Sequence, residues 1–321
     1  GTAPIRLREV AFSLEKAGPV DKFEAHPTSA ESPSVLHYTS GTTGDPKGVA
    51  IRNNRTGLFN ILTKIVWKYD NRDVLYNGLS LTHGNAQTVT LFPAFAMGIK
   101  AVFSPRFTKS RIWDICRKYG CTSFSLLGGM MAGIYNEPEK ADDGDNPVRV
   151  VISAGTPPSL WEGFEKRFNV KILEWYGSVE GGFAYKPIGE GPIGSFGKPV
   201  PGVMEMKVVD DEDREVPVGQ NGELICRLLR GETKVDYLGK PEESKEKTRG
   251  GWLRTGDMVH KDKEGWYFFD YRKGTELRRA GDFIQPDYIE TVIGKHQDVS
   301  EVCVYGIPAA SGAPGASDLV A

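Results

Sequence analysis

The segment of residues 38–48 constrains the fold of this chain more than any other part of the sequence. It reads Tyr-Thr-Ser-Gly-Thr-Thr-Gly-Asp-Pro-Lys-Gly and combines three glycines, four threonine or serine hydroxyls and one lysine. Glycines let backbone N–H groups come close to phosphate oxygens, hydroxyls add donors, and a lysine supplies a mobile positive charge. The segment is not a Walker loop, because Pro46 precedes Lys47 and Gly48 follows it. It predicts a nucleotide phosphate loop between a strand and a helix, and a solvated turn without a ligand is the alternative.

Strand-like and helical patterns alternate through the middle of the chain. An apolar run at 148–153, an amphipathic segment at 159–168 and a second apolar run at 170–175 favour parallel α/β construction. After residue 194 the pattern changes to short alternating strands separated by acidic or glycine turns. We therefore predict an α/β fold with a large, layered N-terminal domain of mostly parallel sheets, a β-rich subdomain, and a small α+β C-terminal subdomain after a hinge. The predicted bounds are 1–193 for the α/β part, 194–272 for the β-rich subdomain and 273–321 for the incomplete C-terminal subdomain.

Residues 109–119 repeat apolar side chains at helical spacing. Ile112, Ile115, Cys116 and Tyr119 fall at i, i+3, i+4 and i+7, which predicts a helix with one buried face and Cys116 in the core. Two charged runs, 137–147 and 242–249, are predicted to be exposed loops. The first is rich in acids but lacks the glutamate and the spacing of an EF-hand calcium loop.

The overall composition excludes several partner classes. The 321 residues include 40 basic and 42 acidic ones, so a net charge of −2 gives no reason to expect nucleic acid or an acidic membrane surface. Neither the four cysteines nor the five histidines form a metal-ligand cluster. No window approaches the ~18 apolar residues of a membrane span, and the cysteine usage favours a reducing cytoplasm. The abrupt ends predict a fragment of a longer protein that lacks both ends.

A second motif, Trp-Tyr-Gly-Ser-Val-Glu at 175–180, directly follows a predicted strand. A parallel sheet brings the carboxyl ends of its strands to a crevice where ligands bind. The Tyr176 ring can stack on a purine there, and the Glu180 carboxylate can bind a Mg²⁺ that neutralises ATP phosphates. The motif therefore predicts an adenine and metal site beside the phosphate loop.

These two motifs occur with three others in a fixed order. Ser-Ala-Gly-Thr-Pro occupies 153–157, Gly-Trp-Leu-Arg-Thr-Gly-Asp occupies 251–257, and a charged segment follows at 270–282. Over about residues 34–321 this order resembles the AMP-forming adenylate-forming enzymes, which comprise acyl-CoA synthetases, peptide-synthetase adenylation domains and luciferases. Gly-Ser-Phe-Gly-Lys-Pro at 194–199 and the region of Arg272 look closest to the fatty-acyl, aryl and carnitine-type CoA ligases.

The resemblance implies a role for each matching residue. The phosphate loop would contribute Thr39, Ser40, Gly41, Thr42, Thr43, Gly44 and Lys47. The nucleoside would be held by Gly155, Thr156, Pro157, Tyr176 and Gly177 at adenine, by Asp257 and Arg272 at ribose, and Mg²⁺ by Glu180. The acyl pocket would be gated by His83 and lined by Gly128, Gly129 and Met130; an ordinary loop position for His83 and core filling for the others are the alternatives. Lys47, Glu180 and His83 would be catalytic, Gly274 would be the hinge, and Gly281 would lie along the approach of CoA.

The implied reaction uses ATP, Mg²⁺ and CoA to activate a small carboxylic acid and convert it into a thioester. Two residues depart from the family pattern, since Val179 replaces a threonine and Tyr271 replaces the aspartate before Arg272. The missing hydroxyl would remove a charge-assisted hydrogen bond worth about 1.5–3 kcal/mol. One alternative is therefore a ligase impaired in adenylation that uses a preformed acyl-adenylate, and another is a non-catalytic protein that binds adenylate or acyl-AMP. The family's late adenylation lysine has no matching position in these residues.

Overall fold

The computed structural model describes residues 27–39, 46–53, 61–273, 277–279, 282–284, 286–294, 296, 299, 302–308 and 317–321. The strands are β1 (Pro33–Thr39), β2 (Lys47–Arg52), β3 (Val74–Asn77), β4 (Lys100–Phe103), β5 (Ser123–Leu127), β6 (Val150–Ala154), β7 (Lys171–Gly177), β8 (Phe183–Lys186), β9 (Ser195–Pro199), β10 (Met204–Val209), β11 (Gly222–Leu228), β12 (Leu253–Lys261), β13 (Tyr267–Arg272), β14 (Leu277–Arg279), β15 (Asp282–Ile284), β16 (Tyr305–Pro308) and β17 (Ser317–Val320). The α-helices are α1 (Phe92–Met97), α2 (Ile112–Tyr119), α3 (Gly128–Tyr135), α4 (Trp161–Phe168), α5 (Pro241–Lys247) and α6 (Pro286–Ile293). Short π-helical turns occupy Thr63–Trp67 and Ala86–Leu91, and 3₁₀ turns occupy Lys109–Arg111 and Arg249–Gly251.

Eleven strands form one mixed sheet in the spatial order β10-β11-β12-β13-β9-β8-β7-β6-β5-β3-β4. The strands from β3 to β7 pair in parallel. From β7 through β8, β9 and β13 to β10 every pairing is antiparallel. This arrangement confirms the predicted α/β fold with a mostly parallel part followed by a β-rich part. Because β8 and β9 are hydrogen-bonded, strands on both sides of residue 194 share the sheet, and the division into subdomains at that residue stays a prediction.

Apart from the edge strand β4, the parallel strands are largely buried on both faces, which explains why β5, β6 and β7 read as nearly continuous apolar runs. Along β6, Val150 and Ile152 face one hydrophobic cluster while Val151 faces the other, as the two-residue period of a strand requires. Helices α2, α3 and α4 cover the Val151 face, where the Trp113 and Phe168 rings stack with centroids 4.4 Å apart. Cys116 is fully buried in this layer, as the helical periodicity predicts.

One expectation about the charged runs is wrong. Residues 242–249 form most of α5 and the following turn instead of an exposed loop, and one face of this element lines the cavity described below. The acidic run 137–147 is a mostly exposed loop, as expected. Its one buried residue, Asp143, pairs with Arg167, whose Nε atom lies 2.7 Å from Asp143 Oδ2. In the described part of the chain, no helix has the length and apolar character needed to cross a membrane.

Candidate active site

The main cavity has a volume of about 1170 Å³ and opens between the β1–β2 hairpin, the carboxyl end of β7, the strands β12 and β13, and α5. Seven basic and four acidic side chains line it, so basic side chains outnumber acidic ones on its surface although the chain is slightly acidic. The basic residues are Lys47, Lys240, Lys247, Arg249, Arg254, Arg272 and Lys273, and the acidic residues are Glu180, Glu223, Glu243 and Glu246. A wall of this kind suits a polyanionic ligand.

The predicted phosphate loop has both of its described flanks at this cavity. It connects β1 and β2 of an antiparallel hairpin, so the expectation that it joins a strand to a helix is wrong. Thr39 lies opposite Lys47, and both residues line the cavity. The Lys47 ammonium nitrogen lies 2.5 Å from Glu243 Oε2 and 5.3 Å from the centre of the Tyr237 ring. Ser40, Gly41, Thr42, Thr43 and Gly44 lie outside the described residues, as do Gly274 and Gly281. The hairpin register therefore brings the described flanks of the loop to the same opening.

Glu180 projects from a tight turn at the end of β7. The turn is closed by the Ser178 hydroxyl, which donates to the Gly181 carbonyl oxygen over 2.8 Å. The Glu180 carboxylate accepts a hydrogen bond of 3.1 Å from the Tyr237 hydroxyl. Within the described residues no three His, Cys, Asp or Glu side chains form a metal cage. Mg²⁺ commonly takes only one or two protein carboxylates and completes its shell with water and substrate phosphates, so the single carboxylate of Glu180 fits this ion.

Asp257 is hydrogen-bonded to two of the other residues expected at the nucleoside. Its carboxylate accepts hydrogen bonds from the Tyr176 hydroxyl at 2.5 Å and from Arg272 at 3.2 Å. Burial raises the pKa of Asp257, while the Tyr176 hydrogen bond and the Arg272 charge lower it. The Tyr176 ring packs against Phe196 at a centroid distance of 4.7 Å. The structure thus brings Tyr176, proposed at adenine, together with Asp257 and Arg272, proposed at ribose, and each partner binds one Asp257 oxygen. Of these three residues, Arg272 lines the cavity.

The loop that contains Gly155 and Thr156 is hydrogen-bonded to the carboxylate of Glu174, a residue that no sequence motif identifies. Glu174 on β7 accepts hydrogen bonds from the backbone N–H groups of Gly155 at 2.6 Å and of Thr156 at 3.2 Å. Burial raises the pKa of Glu174 to about 7 against these hydrogen bonds and the charge of Lys186. Alternation along β7 points Glu174 and Tyr176 to the same face of the sheet, which is the only sequence signal for this contact.

His83 and Val179 both line the cavity. The His83 Nδ1 atom accepts the backbone N–H of Asn85 at 3.1 Å, which leaves Nε2 to carry the ring proton of the neutral imidazole. Burial, followed by the neighbouring His37, lowers the pKa of His83. A Cβ atom placed on Gly84 would lie 3.4 Å from Val179 Cγ2, so these two segments are in close contact. The aliphatic side chain of Val179 also packs against the apolar core.

Gly128, Gly129 and Met130 form the start of α3 and are not among the residues that line the described cavity. Gly128 has a packing role instead, because a Cβ atom there would lie 1.9 Å from the Gly155 carbonyl oxygen. Leu127, one residue earlier, does line the cavity. A contribution of the three residues to an acyl pocket stays a prediction.

Comparison with known proteins gives relatives along most of the chain. Residues 3–229 match the family described as AMP-binding enzyme. The medium/long-chain-fatty-acid–CoA ligase FadD17 of Mycobacterium marinum is 31% identical over 302 residues, which cover 94% of this chain and 57% of that protein. The crystal structure of the anthranilate CoA ligase AuaEII in complex with anthranoyl-AMP superposes with a TM-score of 0.78 at 27% identity, covering 89% of this chain and 56% of that one. A benzoate CoA ligase from Burkholderia xenovorans LB400 has the same fold, with a TM-score of 0.79 at 23% identity over 96% of this chain and 61% of the other. The chain thus spans little more than half the length of these relatives.

Proposed function

Since the chain belongs to the AMP-binding enzyme family, we propose that the full-length protein is an AMP-forming carboxylic acid–CoA ligase. The observation that carries the proposal is the convergence of Lys47, Glu180 and Arg272 on one cavity. These side chains supply, in the same order, a charge beside the phosphate loop, a carboxylate for a phosphate-bound metal, and a partner for the Asp257 carboxylate expected at ribose. Relatives named as fatty-acid and anthranilate CoA ligases support the reaction class.

In the first step a carboxylate oxygen of the acid attacks the α-phosphorus of ATP, and the bond to the β-phosphate oxygen breaks to release pyrophosphate. Such transfers depend mainly on positioning and on charge stabilisation. Lys47 and the positive cavity wall would stabilise the phosphate charge, and Asp257 with Tyr176 would fix the nucleoside. When bound at Glu180, Mg²⁺ would add further charge neutralisation.

In the second step the CoA sulfur attacks the acyl carbonyl of the acyl-adenylate, its thiol proton is lost, and AMP leaves with the electron pair of the broken C–O bond. Gly274 would allow the chain after β13 to turn for this step, and Gly281 would lie along the path of CoA. Both roles rest on the motif match at 270–282. We place this reaction in the cytoplasm, in keeping with Cys116, Cys121 and Cys226, which are buried as free thiols.

A second candidate function rests on Val179. This side chain lines the cavity next to Glu180 and offers no hydroxyl to a phosphate. A protein that adenylates poorly would take a preformed acyl-adenylate and perform only thioester formation. Its predicted signature is CoA-dependent release of AMP from supplied acyl-adenylate, without pyrophosphate release from ATP.

The deciding experiment incubates the full-length protein with MgATP and a panel of fatty, aromatic and short polar acids, with and without CoA. Pyrophosphate, AMP and acyl-CoA are quantified. We expect one acid class to give pyrophosphate without CoA and thioester only with CoA. Thioester from acyl-adenylate alone would instead favour the second candidate. Binding of AMP without either product would show a non-catalytic adenylate-binding protein and contradict the ligase.

A further inference from the structure

Lys247 differs from the other basic residues of the cavity in having no carboxylate partner in the described part of the chain. The other six each lie within 4.0 Å of at least one carboxylate oxygen. The pairs are Lys47–Glu243, Lys240–Glu243, Arg249–Glu246, Arg254–Asp213, Arg272–Asp257 and Lys273–Asp211. The polar contact that the structure gives Lys247 is a long one of 3.4 Å to the Thr255 carbonyl oxygen.

Burial makes this lack of a partner costly. Loss of water lowers the pKa of Lys247, and the nearby charge of Arg272 lowers it further. The carboxylates of Glu180, Glu223 and Asp257 raise the pKa of Lys247, although none of them is in direct contact with its ammonium group. Lys247 also lines the cavity, and a partly desolvated ammonium without an adjacent anion is suited to an anionic ligand there, because such a ligand restores the interactions that water provided.

The surroundings of Lys247 identify which part of the ligand it meets. It is the last residue of α5, and its contact atom belongs to Thr255, two residues before the proposed ribose carboxylate Asp257. Glu180, the proposed metal ligand, lines the same cavity, and its charge favours the protonated form of Lys247 by raising the Lys247 pKa. In a nucleotide the group between the ribose and the metal-bound phosphates is the α-phosphate. Val179, beside Glu180, brings no hydroxyl to this position.

We propose that the Lys247 ammonium group donates a charged hydrogen bond to the α-phosphate of the bound nucleotide. This inference rests on the proposed function, since it assigns one contact within the same site. The α-phosphate is present in ATP, in acyl-AMP and in AMP, so Lys247 remains paired after pyrophosphate has left. Lys47, beside the predicted phosphate loop, would by contrast lose its β- and γ-phosphate contacts when pyrophosphate leaves.

The test measures binding of AMP, ATP and adenosine by calorimetry to the wild-type chain and to Lys247→Met. We expect the variant to bind AMP and ATP about 10- to 100-fold more weakly, as for loss of a charged hydrogen bond, with adenosine affinity unchanged. Lys247→Arg keeps the charge and should restore most of the AMP affinity. Lys245→Met is the matched control, because Lys245 lies on the same helix, is exposed, and contacts Glu242 at 3.0 Å. Lys247→Gln serves as a second neutral variant if the Met variant unfolds.

Several results would overturn the assignment. Weaker ATP binding with unchanged AMP binding would place Lys247 at the β- or γ-phosphate. Equal weakening of all three ligands would indicate a structural role for the side chain. If the wild type binds AMP but Lys247→Met binds it equally well, only this inference fails, whereas absence of binding of all three ligands to the wild type would overturn the proposed function as well.

Discussion

Glu174 faces the buried side of β7, where its carboxylate lies under the Gly155–Thr156 loop and its Cα atom pairs with that of Lys186 on β8. Burial raises the pKa of Glu174 from its usual 4.5 to about 7, because an ionised carboxylate loses more water than the hydrogen bonds replace. Between these two values the folded chain holds a proton that the unfolded chain has released. The contribution of this group to the free energy of unfolding is therefore greatest at low pH and falls as pH rises from 4.5 to 7.

We predict that Glu174→Gln removes this dependence while keeping an oxygen for the two backbone N–H groups. The free energy of unfolding of the variant relative to the wild type should increase by on the order of 3 kcal/mol between about pH 4.5 and pH 8. Urea unfolding followed by circular dichroism across this range measures the difference. A difference that stays constant with pH would contradict the assignment.

At the scale of single residues, sequence motifs predict which side chains belong to the candidate site but not how these side chains contact each other. The residue types at Tyr176 and Asp257 predict nucleoside contacts, and their matching motifs place both in one site. Their direct hydrogen bond depends on the turn and pairing of β7, β8, β9, β13 and β12 in one sheet, which a one-dimensional pattern does not determine. The hydrogen bonds of Glu174 and the proposed role of Lys247 also depend on burial in the folded chain, so motifs do not reveal them.

At the scale of elements, the junction between β5 and α3 approaches the loop after β6 very closely. The Gly128 backbone leaves no room for a side chain beside the Gly155 carbonyl oxygen, whereas the space around Gly129 is open within 4 Å. The two neighbouring glycines therefore differ in what an added methyl group would meet.

We predict that Gly128→Ala forces the junction and the Gly155 loop apart and lowers the free energy of unfolding by roughly 1–3 kcal/mol or more. Its AMP affinity should fall as well, because Thr156 and its neighbours move with the loop. Gly129→Ala is the matched control and should be neutral or stabilising by up to about 1 kcal/mol, since alanine favours a helix. Thermal unfolding and AMP titration of both variants provide the comparison. Equal effects of the two substitutions would rule out the close contact as the cause.

Helix α5 shows why some elements escape sequence-based prediction. Its sequence from Pro241 to Lys247 is almost entirely charged or polar, so no apolar stripe indicates a packed helix. Its cavity-facing side chains are charged because that side meets the binding cavity instead of the core. For helix α2 the periodicity correctly predicts a helix with Ile112 and Cys116 in the core, but it wrongly places Tyr119, which is exposed, on the buried face.

At the scale of the whole molecule, charge is distributed unevenly. The chain carries a net charge of −2, yet the cavity wall has an excess of basic side chains. Long-range attraction between such a wall and a polyanion is reduced by salt, with a screening length of about 10 Å at 0.1 M ionic strength.

We predict that MgATP binding weakens roughly tenfold as NaCl rises from about 0.05 M to about 0.5 M, whereas adenosine binding changes less than about twofold. Calorimetric titration at several salt concentrations measures both. A similar salt dependence for the two ligands would show that the cavity charge does not act on the phosphates.

The overall architecture follows from sequence patterns because alternating strands and helices impose a layered α/β fold. The continuity of the sheet across residue 194 could not be predicted from the sequence. The pairing of β8 with β9 joins an α/β segment to a β-rich segment, and these two segments differ in their sequence patterns. The positive cavity likewise gathers residues from distant segments, so neither the net charge nor any local run reveals it.

The β1–β2 hairpin is attached to the segment that leads into α5. Ala50 donates its backbone N–H to the Asp236 carbonyl oxygen, Leu238 donates to the Gly48 carbonyl oxygen, and Arg52 pairs with the Asp236 carboxylate. The hairpin end that carries Lys47 and the helix that carries Lys247 are thereby fastened together, although they are far apart along the chain. A displacement of the hairpin is therefore expected to displace the helix as well, so that Lys47 and Lys247 would approach or leave the phosphates of a bound nucleotide together.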